Sequence, residues 1–245
     1  MTMWGDDGGE CSPFSVLPSL LYAAEVYRGN SDLEAIKAKF EALFGVAWDD
    51  FMLLDSLDLE GERHTRSISK QLVYNDPLMG MHDARVTLDM ADFYRTLAAR
   101  LRAVACGEYG LLFARYAALA DLLALKATIG IRARAAYRAK DHAQMAQVID
   151  DYPRLLAALD GYYEAFRTNW MADNKPFGFE IHDGRLGGLR LRLEHCLRML
   201  KAWQESETPI CELDEPVLDK SRGRQHWECN TTAGAGRVFW RPLNA

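Results

Sequence analysis

The residues best suited to chemistry stand at the start of the chain, in Thr2-Met-Trp4-Gly-Asp6-Asp7-Gly-Gly-Glu10-Cys-Ser12. An aromatic ring, three carboxylates and three glycines fall between Trp4 and Glu10. An indole face stacks on the C–H faces of a pyranose while carboxylate oxygens accept from its hydroxyls, so this composition suits a sugar. Alternate side chains of an extended chain point the same way, which puts Trp4 and Asp6 on one face. Plainer readings stand beside this one: a solvated acidic terminus, or a Ca²⁺ cradle built from Asp6, Asp7 and Glu10. The cradle lacks the five-position oxygen ladder of an EF-hand loop.

Elsewhere the chemistry is sparse. His64, His82, His142, His182, His195 and His226 show no ligand spacing, and His195 beside Glu194 reads as a residue of a solvated face. Cys11 has no His close in sequence, and neither a Gly-rich phosphate loop nor a Gly-x-Ser-x-Gly elbow occurs. No catalytic residue, metal ligand or cofactor is assigned. Asp183 and Arg185, in a glycine-rich stretch ahead of the last helix, read as a helix cap or an ion-pair partner.

Trp4-Gly5-Asp6-Asp7-Gly-Gly-Glu10 resembles the eighth barrel strand and following loop of the glycoside hydrolase family 20 β-N-acetylhexosaminidases, in the branch with a C-terminal helical domain. Trp170-Met-Ala-Asp-Asn174-Lys175-Pro-Phe-Gly178-Phe-Glu180, with Asp183-Gly-Arg185-Leu-Gly187-Gly188-Leu, is similar to part of that domain. The resemblance implies that Trp4 forms a wall of the pocket for a terminal N-acetylhexosamine and that Asp6 contacts sugar hydroxyls. It implies substrate-assisted retaining hydrolysis, in which a neighbouring Asp-Glu pair on the fourth strand acts with the substrate's acetamido group. A barrel of eight strands needs roughly 200 residues, and here at most one strand precedes the helices, so this chain is expected to be inactive alone. The expectation is a C-terminal fragment of such an enzyme. The alternative is a non-enzymatic helical scaffold or dimerisation module, and a homodimer is compatible with either.

The elements that must carry these residues are helical. A mainly α fold is expected, an up-and-down bundle preceded by a single residual β-strand and followed by an irregular tail, divided as 1–13, 14–205 and 206–245. Apolar periodicity marks a helix after Phe14, with Pro18 in its first turn, and another opened by a Ser31-Asp-Leu-Glu34 capping box and stopped at Gly45. Short helices and a loop follow to Gly80 through the turn Asn75-Asp76-Pro77. Further helices are expected at Arg85–Cys106, Glu108–Lys140 as one long core helix, Asp141–Met171 divided or kinked at Pro153, and Arg185–Glu205 after a loop from Asp173 to Gly188. Arg237-Val-Phe-Trp240 reads as a short strand.

Composition narrows the class. With 245 residues, 49% hydrophobic and 26% charged, the chain has the makings of a core. A formal charge of −6 and a pI near 5.6 argue against a nucleic-acid partner. Five cysteines without a C-x-x-C pair, and a start with neither basic residues nor an apolar run, point to a cytoplasmic protein with reduced thiols. The most apolar window, Leu111–Ile131, is broken by Arg115, Asp121 and Lys126, each costing about 2.5–3.5 kcal/mol at a bilayer centre, so it is a core helix and no membrane span.

Overall fold

The computed structural model describes residues 10–60, 68–104 and 106–217. A 3₁₀ turn at Pro13–Val16 leads into α1 (Leu17–Tyr27), followed by α2 (Leu33–Phe44) and α3 (Trp48–Phe51), which runs on as a 3₁₀ segment, Met52–Asp58. Then come α4 (Ile68–Tyr74), α5 (Met90–Ala103), α6 (Gly110–Lys126), α7 (Ile129–Ala139), α8 (His142–Asp173), α9 (Phe179–Ser206) and α10 (Cys211–Asp214). The fold is mainly α, and no strand occurs among the described residues. The expected residual strand and the strand at Arg237–Trp240 lie outside them.

The centre is α6, packed between α5 and α8, with α9 on the far side of α8. Its Leu112, Leu122 and Leu123 are fully enclosed, as an apolar helix flanked on both sides must be. A T-shaped aromatic chain, Phe40 to Phe51 to Phe113, ties α2 to α6.

Five features differ from expectation. The N-cap of α2 is Asp32 and not Ser31: its carboxylate accepts from the Glu34 and Ala35 amides at 3.1 and 3.2 Å. Gly45 ends that helix in the left-handed region, as the pattern predicts. The long helix expected from Glu108 to Lys140 is two, turning at Ala127–Thr128, because α7 has to close onto the Pro77 backbone. A Cβ at Gly130 would stand 3.0 Å from the Pro77 carbonyl oxygen. Pro153 does not divide α8, which runs unbroken through it from its Asp141 N-cap. The Asp173–Gly188 loop is mostly helix, since α9 begins at Phe179 and carries Gly184, Gly187 and Gly188 inside it. The presumed irregular tail also contributes α10, whose Leu213 is buried.

Residues 72–78 and 80–83 are buried, unusual for a connection, because a buried loop must find partners for its peptide groups. Here they come from side chains. Asp76 caps the turn by accepting from the Leu78 and Met79 amides at 2.9 and 3.0 Å, and it pairs with Arg192 of α9. Lys126 of α6 donates to the Leu72 and Asn75 carbonyls. Arg134 of α7 donates to Leu78 on one side and to the Glu212, Leu213 and Glu215 carbonyls on the other. Burial pushes the Lys126 ammonium down to about 8. Burial also pushes the Asp76 carboxyl up, but Arg192 and the two amides hold it below the usual carboxylate range. Gly80 sits at φ +63, and a Cβ there would meet the Asp83 carboxylate at 2.3 Å.

Asp76→Ala leaves Arg192 only its longer contact with Glu212, at 3.5 Å, and bares two buried amides, so we expect a loss of about 3–5 kcal/mol in urea denaturation, the range for breaking a buried ion pair. A loss of under about 1 kcal/mol would show that the loop holds without it.

Candidate functional site

Trp4 and Asp6 lie outside the described residues. What the structure does show is how Glu10 and Ser12, a few residues further on, are held. Glu10 directs its carboxylate into a cleft between α4, α6 and α9. There it accepts from Arg185 Nη1 at 3.0 Å and from the Tyr74 hydroxyl at 2.9 Å, and forms an ion pair with Lys70. The Arg115 guanidinium of α6 donates to the Glu10 carbonyl oxygen. That guanidinium lies 3.8 Å over the Phe166 ring and donates to Asn169 at 3.3 Å. Asn169 donates to Asp173, which also accepts from the Ser12 hydroxyl. The Ser12 amide donates to the Tyr116 hydroxyl at 3.3 Å.

Helical spacing makes this possible. Arg115 and Tyr116 follow one another on α6, and Asn169 and Asp173 are one turn apart at the end of α8. Beneath them His182 is enclosed by Phe166, Trp170 and Phe179, ring centroids 4.7–5.6 Å away. Burial pushes the His182 imidazole down to about 4, against the opposing pull of Glu10. Burial together with the Glu10 carboxylate pushes the Tyr74 phenol well above its ordinary value.

The arrangement is an anchor and not a reaction centre. The Glu10 carboxylate is taken up by Lys70, Tyr74 and Arg185, and the aromatic members are packed as core. Arg185 takes the structural role expected for it. Asp183 does not cap a helix: it lies inside α9 and accepts from the Tyr163 hydroxyl at 2.8 Å. Sequence reasoning missed Lys70, Tyr74 and Arg115, and the signal available for Arg115, a cation in a run of core residues, reads equally as a membrane-breaking charge. A groove of about 370 Å³ between α8 and α9 is lined by Tyr163, Asp183, Asp160 and Arg190. There Arg190 Nε lies 2.8 Å from Asp160, and Asp183 accepts from the Tyr163 hydroxyl. Among the described residues no cluster of three or more His, Cys, Asp or Glu can hold a metal, and no helix is long and apolar enough to cross a membrane.

Residues 49–230, most of the chain, match the family model of the Glycoside Hydrolase 20C C-terminal domain. The chain belongs to that family. A search of curated proteins finds no match. The boundaries of the Glycoside Hydrolase 20C C-terminal domain cut across the anchor. Glu10 and Ser12, with α1 and α2, precede the matched span, whereas Lys70, Tyr74, Arg115 and Arg185 lie inside it. The anchor therefore fastens an upstream segment to the helical domain of a glycoside hydrolase.

Two outcomes test it. Arg185→Met leaves the Glu10 carboxylate short of a partner in a nearly closed cleft, and a loss of about 3–5 kcal/mol is expected in chemical denaturation. His182 is neutral in the fold down to about pH 4 but takes a proton near pH 6.5 when unfolded. Below 6.5 the unfolded state binds the extra proton, so its contribution to stability is present above pH 6.5 and is lost as pH falls to about 4. Melting temperatures of wild type and His182→Gln between pH 7 and 4 should diverge on that pattern, the variant showing the flatter curve; parallel curves would refute it.

Proposed function

We propose that this chain is the C-terminal portion of a β-N-acetylhexosaminidase-like glycoside hydrolase, which in its longer form removes terminal N-acetylhexosamine by substrate-assisted retaining hydrolysis. Trp4 and Asp6 supply one wall of the sugar pocket, the ring stacking on the pyranose and the carboxylate accepting from its hydroxyls. The helical domain holds that wall in place, and the chain by itself is inactive. The carrying observation is the Glu10 anchor, four residues past Asp6, which is fixed to the family domain through four side chains.

α1 supports the same reading. A strand, a loop and a helix make the repeating unit of a (β/α)₈ barrel, and α1 stands where the helix of the last unit would come. It packs mainly on α2, joined through Glu25 to Lys39 and Asn30, and buries only Pro18 and Glu25 of its own residues. Tyr22, Val26 and Tyr27 stay exposed on it, as they would if a barrel belonged there. The thiols of Cys106, Cys196 and Cys211, free among the described residues, are in keeping with a cytoplasmic site.

The purified chain should not hydrolyse 4-nitrophenyl N-acetyl-β-glucosaminide above buffer. The coding frame upstream of Met1 should continue into further barrel strands with a neighbouring Asp-Glu pair. Turnover by this chain at the rate of an intact enzyme, or an in-frame stop codon directly upstream, would overturn the proposal.

A further inference from the structure

α8 and α9 face each other across an open groove that is deepened where one position has no side chain. On α8, Asp160, Tyr163 and Glu164 fall at i, i+3 and i+4; on α9, Asp183, Leu186, Gly187 and Arg190 make the matching row. Together with Leu159 they line about 370 Å³, near the small end of ligand sites, which run to roughly 1,000 Å³. One ring fits there. A Cβ at Gly187 would meet no atom within 4 Å, and its φ is not one that demands glycine. Glycine inside a helix destabilises it relative to alanine, so what Gly187 contributes is depth.

Apolar and polar surface are divided within the groove. The buried Leu159 and Leu186 lie at its base, and the half-buried Tyr163 ring stands beside them. The polar atoms around this base have capacity to spare. Asp183 accepts from the Tyr163 hydroxyl at 2.8 Å through Oδ1, and its Oδ2 has no bond to a described residue. Asp160 takes two N–H groups of Arg190, at 2.8 and 3.3 Å, and Glu194 takes a third, which leaves two of the guanidinium's five. Glu164 makes no hydrogen bond or ion pair with any described residue. The lining thus holds three carboxylates and one guanidinium, and outside it Arg167 and Glu194 on the same two helices offset each other.

We propose that this groove binds one neutral pyranose ring of a glycan, at a site separate from the wall formed by Trp4 and Asp6. The C–H face of the ring rests on Leu159, Leu186 and Tyr163 over Gly187; its hydroxyls donate to Asp183 Oδ2 and to Glu164 and accept from the remaining N–H groups of Arg190. A wholly apolar ligand would bury those acceptors without a donor, and an acidic sugar would bring a fourth negative charge to the lining. A basic peptide suits the site less well, because Asp160 and Asp183 already have donors and only Glu164 keeps an unmet charge. The proposal rests on membership of a glycoside hydrolase family, and not on the reading of Trp4 and Asp6.

Amide shifts of the ¹⁵N-labelled full chain, titrated with methyl β-glucopyranoside, methyl β-galactopyranoside and methyl N-acetyl-β-glucosaminide, test it. At least one sugar should give saturable shifts in the millimolar range at the residues lining the groove. Gly187→Leu should abolish them without lowering the melting temperature, since it fills the groove and improves helix propensity. Glu164→Ala, which breaks no bond within the fold, should weaken binding roughly three- to tenfold, the worth of one hydrogen bond. Methyl β-glucuronide should bind more weakly than the glucoside, by a margin that closes as salt is raised. Groove shifts with none between Met1 and Glu10 would uphold this site while counting against the Trp4–Asp6 pocket. Shifts confined to Met1–Glu10, the absence of saturable shifts with all three sugars, groove shifts that persist in both Gly187→Leu and Glu164→Ala, or a response to a basic peptide alone overturns the proposal.

Discussion

The contact between Asp76 and Arg192 lets a polar connection occupy the inside of a helical bundle. A buried ion pair is a poor source of net stability, because desolvating both charges cancels most of their attraction. Its value here lies in what surrounds it. The peptide groups from Leu72 to Leu78 are shut away from water, and unpaired ones would each cost about 1–3 kcal/mol. Lys126, Arg134 and Asp76 reach them from two helices and from the loop itself. Apolar replacements would leave those carbonyls bare, so the charges are needed for pairing the backbone rather than for their mutual attraction. Because each comes from a different element, the network also sets how α6, α7, α9 and α10 sit against one another.

The second anchor follows the same logic at the other flank of the loop. Arg185 and Arg192 are two turns apart on α9 and so share a face; one holds Glu10 of the incoming segment and the other holds Asp76. α9 thus fastens both the interior connection and the upstream chain. The domain that belongs to the glycoside hydrolase family is accordingly no passive appendage. Its last long helix fixes the Glu10 carboxylate through Arg185.

Helix content was legible because three- and four-residue periodicity reports burial directly, and the Leu112–Leu123 run can belong only to a central helix. A cap was legible where a single residue decides it, as at Gly45. Breaks and starts were not. The turn at Ala127–Thr128 answers to Pro77, fifty residues away in sequence, and no local pattern contains it. Pro153 and the glycines of α9 send a local signal for interruption, and packing along α8 and α9 overrides it.

The sequence by itself determined the class of fold and, through two short motifs, the family, since composition, periodicity and motif spacing are local properties. It also singled out Trp4 and Asp6 as candidates for contact with a sugar. Only the tertiary structure decided that Glu10, one of three similar acids in an acidic turn, is an anchor. That choice depends on Lys70, Tyr74, Arg115 and Arg185 meeting in one cleft. Residues 60 to 175 positions apart from Glu10 become its neighbours only when α4, α6 and α9 pack.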